Sequence, residues 1–460
     1  MSAPVAVAHF ADSRADFFAR REELVLEELA ALAWLREEFH PLESAILRSQ
    51  QGVKDFAGQC QKESAQSLIL HLPTWSDPIF SVRLASSLNL PILILGNSRP
   101  ETSSMVGLLG VGGALDQVGL PHSRVFEHGS DSSRRLVRAF IRAAAARSQL
   151  RGQTLGLFGG RSLGILTAEA DAAQWQRLFG VNIELIDQLE IVNLAESLPQ
   201  VEVDRHKAFL LRSLGRVSFG DSFTPQAFER QVRSYLATRC IVERLGLDFV
   251  GVKCQPELSD GYVTQCIAHL LFGCARDAGG DKPLMVHACE SDADGALTMR
   301  LLSLLSEGRP AALLDVRWLN PVTGLWTLAN CGAIPAALGA TPEDPVGLSR
   351  FSLEPHVFGR GGGGVVTGLI PPQPATLARL CRKNGEYWMA IVSGEVVEPD
   401  PADLERITPA FPKAFVRSSA GVDFLSSFGS NHIHLVSGDL TQELVAFCRL
   451  AGIPWKIWNS

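Results

Sequence analysis

With 460 residues, 46% of them hydrophobic, the chain can fill two or three cores, because single cores stop growing at roughly 250 to 300 residues. Its net charge of −7 comes from dispersed Asp and Glu without a Lys/Arg stripe, which argues against nucleic acid, and its apolar runs fall short of the ~18 to 20 residues that cross a bilayer. The nine cysteines form no CxxC pair and the N-terminus meets Asp12, Arg14 and Asp16 too early for a secretory segment, so a reducing cytoplasm is expected, without disulfide framework or structural zinc.

In chain order, "ADFFARREELVLEELAALAWLREEF" repeats apolar residues at helical spacing. "SLILHLPTW" and "LPILILG" read as buried parallel strands ending in loops. "DSSRRLVRAFIRAAAARSQL" reads as a helix capped within Asp131–Ser133, with Leu136, Phe140, Ile141 and Ala144 on its apolar face. This alternation predicts a doubly wound α/β domain over residues 1–151. A second cycle opens at "RGQTLGLFGGRSLGILTAEAD" and continues through "VNIELIDQLEIV", "LDFVGVKCQPELSD" and "PLMVHACESD", predicting a second Rossmann-like α/β domain over 152–304. From 305 to 460 the texture turns Gly- and Pro-rich, with β-like runs "LWTLANCG", "EYWMAIVSGEVVE" and "NHIHLVSGD". That suits a β-rich, barrel-like domain, closed by the helix "TQELVAFCRLAGI" ending at Gly452.

The chemistry-bearing pattern is "HACESDADGALTM" with "ALLDVRW", which sets Glu290 and Asp315 at the ends of two strand-like runs separated by one helix. Acidic residues in such places sit where α/β sheets open their crevices, although capping or surface roles fit the position equally. "GSNHIHLVSGD" adds His432 and His434 beside Asn431, and a Glu, Asp, His set can hold a divalent metal with substrate oxygens in its open positions. On a strand the two histidines are read as pointing to opposite faces, so that one serves the site, and His432 is preferred. Asp292 and Asp294 are candidate caps for the helix that follows. "FGGRSLG" reads as a strand-to-helix turn, with phosphate cradling as the alternative, since neither GxGxxG nor a P-loop Lys-Ser/Thr is present. In "FGRGGGG", Arg360 can meet a hydroxylated or anionic ligand, or the loop is a flexible linker. No GxSxG elbow is present, which disfavours covalent catalysis.

Taken together, "LFGGRSLGILTAEADAAQWQRLFGVNIELIDQLEIV", "GVKCQPELSDGYVTQ", "CESDADGALTM", "LLDVRW" and "GSNHIHLVSGD" resemble the L-fucose isomerase and L-arabinose isomerase family, in order from about residue 67 to the C-terminus. The resemblance implies an aldose–ketose isomerase acting on a free sugar such as L-fucose or D-arabinose through an enediol, assembled as a homotrimer or hexamer. It implies Mn²⁺, with Mg²⁺ or Co²⁺ as substitutes, held by Glu290, Asp315 and His432, with Glu290 and Asp315 catalytic. Gln255, Trp75, Asn330, Asn431 and Arg360 are the implied substrate-binding set, Trp75 reaching a neighbouring subunit's pocket. Asn330 stands where L-arabinose isomerases place a ligating His and L-fucose isomerase has Asn. Gly364 departs from the pattern, which places an aromatic there. A non-catalytic sugar-binding protein on the same scaffold and a nucleotide-binding enzyme using "FGGRSLG" are the competing classes.

Overall fold

The computed structural model describes residues 4–407 and 411–458. Its contacts group residues 1–149 with 442–452 in one unit and 150–441 with 453–460 in another.

In the first unit, strands Val5–Phe10, Leu42–Leu47, Ser67–His71, Ile92–Leu95 and His122–Val125 form a parallel sheet in the order second, first, third, fourth, fifth. Successive side chains alternate between two separate cores. Ala6, Ala8, Phe10, Leu68 and Leu70 meet Phe56, Leu84 and Leu108 on one face. Val5, Val7, Ile69 and Leu93 meet Leu35, Val137 and Phe140 on the other. Burial on both faces is why Ser67–His71 and Ile92–Leu95 read as continuous apolar runs. Val5–Phe10 and Leu42–Leu47 are strands that the helical reading of the N-terminal region does not anticipate. The helix Asp131–Leu150 forms where the sequence places it, but its apolar stripe runs through Val137, Phe140, Ile141 and Ala144, while Leu136 is exposed.

The second unit opens with a smaller parallel sheet, ordered His287–Cys289, Phe249–Val252, Thr154–Phe158, Asn182–Ile186. After Thr154–Phe158 the Gly-rich turn does not start a helix. A short 3₁₀ turn intervenes and the next α-helix begins at Ala172, capped by Asp171, which accepts from the Gln174 N–H at 2.8 Å. The strand therefore does not run through the Gly-rich turn directly into a helix N-terminus, the arrangement in which such a turn cradles a phosphate.

A closed barrel of six strands follows. Ala311–Leu319 pairs with Trp326–Ala329, then Pro412–Arg417, Glu386–Val396, Gln373–Lys383 and His432–Ser437, which returns to Ala311–Leu319 with every pairing antiparallel. Closure leaves no free edge between these strands. Alternate residues Ala312, Leu314, Leu328, Val416, Ile433 and Leu435 join one apolar core. The intervening row, Asp315 paired with both His432 and Ala329, carries the polar groups.

Lys413 lies on the same row, paired with Ala329, and is only 3% exposed. Burial pushes its ammonium down to about 8 against the opposing pull of Glu354. A folded value below the unfolded one means the native state gains stability as pH rises from about 8 towards the ordinary lysine range. Lys413→Met is therefore expected to be more stable than wild type at pH 7 by about 1 kcal/mol after solvent screening, with the advantage shrinking near pH 10. Thermal melts at both pH values check this; an unchanged gap would refute the assignment.

Candidate active site

Glu290 directly follows the strand His287–Cys289, and it and Ser291 both take left-handed backbone, φ 59° and 50°. Non-glycine residues pay about 1 to 3 kcal/mol each for such conformations and keep them only where surroundings enforce them. Here the Ser291 N–H donates to the Val252 carbonyl at 3.1 Å, its hydroxyl to the Phe158 carbonyl at 3.0 Å, and the Asp292 N–H to the Cys289 carbonyl at 3.1 Å. All three acceptors belong to the second sheet, so the sheet itself aims the Glu290 carboxylate.

Asp292 is the N-cap of the helix Ala293–Leu305, its Oδ1 accepting from the Gly295 N–H at 2.8 Å. It does more than cap. Its Oδ2 meets His432 Nδ1 at 2.7 Å and Arg379 Nη1 at 2.5 Å, while Arg379 Nη2 donates to Oδ1 at 3.0 Å. Asp292, Arg379 and His432 are all fully buried. Although burial works against its charge, Arg379 and His432 hold the Asp292 carboxyl well below its ordinary value. With Nδ1 fixed by Asp292, the other ring nitrogen of His432 is turned towards Glu290 Oε2 at 3.2 Å and Asp315 Oδ1 at 3.6 Å. Burial opposes protonation of His432, but Asp292 and Glu290 outweigh it and lift the imidazole to about 10. Burial raises the Asp315 carboxyl, His432 opposing it, and Asn431 Nδ2 donates to Asp315 Oδ1 at 3.1 Å.

Three hard or borderline donors thus converge from two strands and one turn, and their ion pairing leaves bonding capacity unused. Neither Glu290 Oε2 nor His432 Nε2 makes a well-formed hydrogen bond although both are buried. Among the described residues no group of three or more His, Cys, Asp and Glu is arranged so that it could hold a metal ion as it stands. What fits a hard divalent cation is the donor chemistry, two carboxylates and an imidazole whose far nitrogen a buried carboxylate holds, the usual support behind a metal-binding histidine. The proton on His432 is what such a cation would displace.

Asp315 lies midway along Ala311–Leu319, at the point where the strand's full burial gives out, and not at a strand end. The two histidines share a face, contrary to the opposite-face reading, because residues two apart on a strand point the same way. A Cβ at Gly295 would lie 2.5 Å from Asp292 Oδ2, the atom that holds His432, and 2.7 Å from His434 Nε2. His434 is instead tied by Nδ1 to the Ala378 carbonyl at 3.2 Å, and burial pushes it down to about 3.

Asn330 follows the strand that pairs with Asp315; its Oδ1 accepts from the Ala333 N–H at 2.7 Å and its buried Nδ2 has no hydrogen-bond partner. Gln255 Nε2 lies 3.7 Å from Cys331 Sγ, next to Asn330. Arg360 is not drawn into this group: its side chain is 87% exposed and pairs with Asp260 at 3.4 Å. Its glycine neighbours pack on the backbone of Ser259 and Tyr262. Gly364 has no room for an aromatic, since a Cβ would lie 2.7 Å from the Phe223 ring. Trp75 belongs to the first unit, half-buried, with the Arg14 guanidinium 5.1 Å from its ring.

Arg379 and the orienting role of Asp292 are the functional features that the sequence reading passes over. The available signal is an arginine inside the apolar run "ATLARLC", since a buried guanidinium requires a buried acid.

Residues 328–459 match the family model for the L-fucose isomerase C-terminal domain. The chain is 22% identical over 406 residues to the sulfoquinovose isomerase of Alkalicoccus urumqiensis, covering 83% of each protein. It is 22% identical over 410 residues to that of Clostridium sp. (strain MSTE9), covering 86% of each, and 20% identical over 440 residues to that of Priestia aryabhattai, covering 90% of each. Matched in its C-terminal part by that family model and aligned with these relatives along most of its length, the chain is similar to fucose isomerase-like proteins.

Proposed function

We propose that this protein is a metal-dependent aldose–ketose isomerase that acts on a free sugar through an enediol intermediate. The observation that carries the proposal is the convergence of Glu290 and Asp315 on the far nitrogen of a histidine anchored by Asp292 and Arg379. Mn²⁺ is the proposed cofactor, with Mg²⁺ or Co²⁺ as substitutes, held by Glu290, Asp315 and His432. Its contribution when bound is electrostatic, stabilising negative charge on the oxygens of two adjacent sugar carbons.

Proton movement belongs to the carboxylates. Glu290, held in place by the strained turn, takes the proton from C2 and returns it to C1, and Asp315, raised by burial, exchanges a proton with the neighbouring sugar oxygens. General acid–base catalysis of this kind contributes about 10² to 10⁴ in rate. His432 orients rather than carries, because Asp292 already occupies its Nδ1. Gln255, Asn330 and Asn431 supply amide groups around the same cluster for sugar hydroxyls. The homo-oligomer, trimer or hexamer, with Trp75 serving a neighbouring site, and a cytoplasmic setting are parts of the same proposal.

The test is a ketose-formation assay with L-fucose, D-arabinose and sulfoquinovose on protein as purified, after chelation, and after adding back Mn²⁺, Mg²⁺ or Co²⁺. Chelation is expected to abolish turnover and Mn²⁺ to restore it. Full activity in exhaustively metal-free protein would end the metal assignment. Sugar binding without any turnover under every condition would instead establish the non-catalytic reading.

A further inference from the structure

Lys413 is a buried ammonium to which the isomerase reading gives no task. It is 3% exposed, and among the described residues it makes no hydrogen bond and no ion pair. Glu354, the acid whose charge it feels, is already taken by Arg216. Buried charges are ordinarily paired or shed, because an isolated ammonium out of water is costly. Burial lowers this one only to about 8, so at pH 7 it stays charged and lacks a counter-ion.

Its place in the barrel indicates which anion would complete it. Across the sheet the register runs from His432 to Asp315, then to Ala329 and to Lys413, and residues paired in this way carry their side chains on one face. Lys413 therefore shares a face with two of the proposed metal ligands, two strand spacings from Asp315, about 9 to 10 Å between backbones. Only the methyl group of Ala329 separates them in that row. An open-chain sugar with its carbonyl end at Asp315 extends over most of that distance, and the four-carbon stem of the lysine can meet its far end. A second cation borders the same gap. Arg317, two residues after Asp315, is exposed and sets its guanidinium 5.7 Å from the ring of Phe411, two residues before Lys413. Among the described residues Arg317 has no ion pair either.

We propose that Lys413 and Arg317 form an anion-binding subsite that selects sugars carrying a sulfonate, phosphate or carboxylate at the end remote from the carbonyl. Its role in substrate choice rests on the isomerase reading; the anion site itself does not. The bound anion supplies the counter-charge that the fold leaves out, and so recovers the stability that the unpaired ammonium costs the free protein. A charge-assisted hydrogen bond in such a place is worth about 10- to 100-fold in affinity.

The test melts wild type, Lys413→Met and Arg317→Ala with increasing sulfoquinovose, glucose 6-phosphate, glucuronate or 6-deoxy-D-glucose, the last being sulfoquinovose without its sulfonate. Affinities follow from the rise of the midpoint with sugar concentration. In wild type at least one anionic sugar is expected to bind about 10- to 100-fold more tightly than 6-deoxy-D-glucose, and the one that does so identifies the anion. Lys413→Met should bring that ratio close to one, and Arg317→Ala should lower it in part. Lys413→Met is expected to be the more stable protein at pH 7, so a lost ratio is not a lost fold. A ratio near one for all three anionic sugars in wild type, or a ratio that survives either substitution intact, would overturn the proposal. Because binding is read without turnover, failure of the anion site is distinguishable from failure of the isomerase reading, which shows instead as absence of ketose from every sugar.

Discussion

Glu290→Gln is expected to leave a folded protein whose isomerisation falls by about 10² to 10⁴, the scale of a lost general base. The amide keeps the shape that the turn at Ser291 and Asp292 was built to hold, since those bonds run through backbone and the Ser291 hydroxyl and not through the Glu290 carboxylate. What it loses is the ability to accept the C2 proton and most of its affinity for a hard cation. Circular dichroism and a thermal melt establish folding before the kinetic comparison is made. Wild-type turnover in D₂O supplies the complementary reading, because a carboxylate that holds the proton between C2 and C1 exchanges it with solvent, placing deuterium on C1 of the ketose. Product free of solvent deuterium over many turnovers would point to direct hydride transfer from C2 to C1. Near-wild-type activity in Glu290→Gln would take this residue out of the reaction.

The sequence is informative where a local pattern reports a local environment. The strands Ser67–His71 and Ile92–Leu95 read as short apolar runs because both of their faces are covered, and the barrel strands announce themselves by β-like texture between turns. Val5–Phe10 escapes such reading because it is followed at once by charged helical segments that dominate the local periodicity. The closure of the barrel is a pairing between Glu386–Val396 and Pro412–Arg417, and between His432–Ser437 and Ala311–Leu319, which no local window contains. The same holds for the site. Glu290, Asp315 and His432 stand out as acids and imidazole in apolar runs, yet the register that sets Asp315 opposite His432 is tertiary information. The shared face of His432 and His434 follows from the period of two and is legible once the strand is counted correctly. Arg379 contributes through a partner 87 residues away, so the apolar run around it signals that a buried acid is needed but not which one.

Arg379 is also where the largest stability effect is expected. It is fully buried, pairs with both oxygens of Asp292, and donates to the Thr167 carbonyl at 2.7 Å. Arg379→Met keeps a long apolar stem but leaves the Asp292 carboxylate buried with one cationic partner in place of two. Removing one member of a buried pair typically costs about 3 to 5 kcal/mol, because the remaining charge has lost its compensation and cannot regain water. Arg379→Lys should recover little, since an ammonium cannot present the two parallel donors that the carboxylate accepts. The carboxylate fixes His432, so the variant should also weaken Mn²⁺ binding by about 10- to 100-fold, the usual effect of disturbing the group behind a metal-binding histidine. Asp292→Asn removes the stranded charge from the other side, and Arg379→Met combined with Asp292→Asn should therefore lose less than the two single losses added. Denaturant melts of the four proteins measure that coupling. Strict additivity, or a loss below about 1 kcal/mol in Arg379→Met alone, would show that the guanidinium is a passenger in the core and that His432 is held by other means.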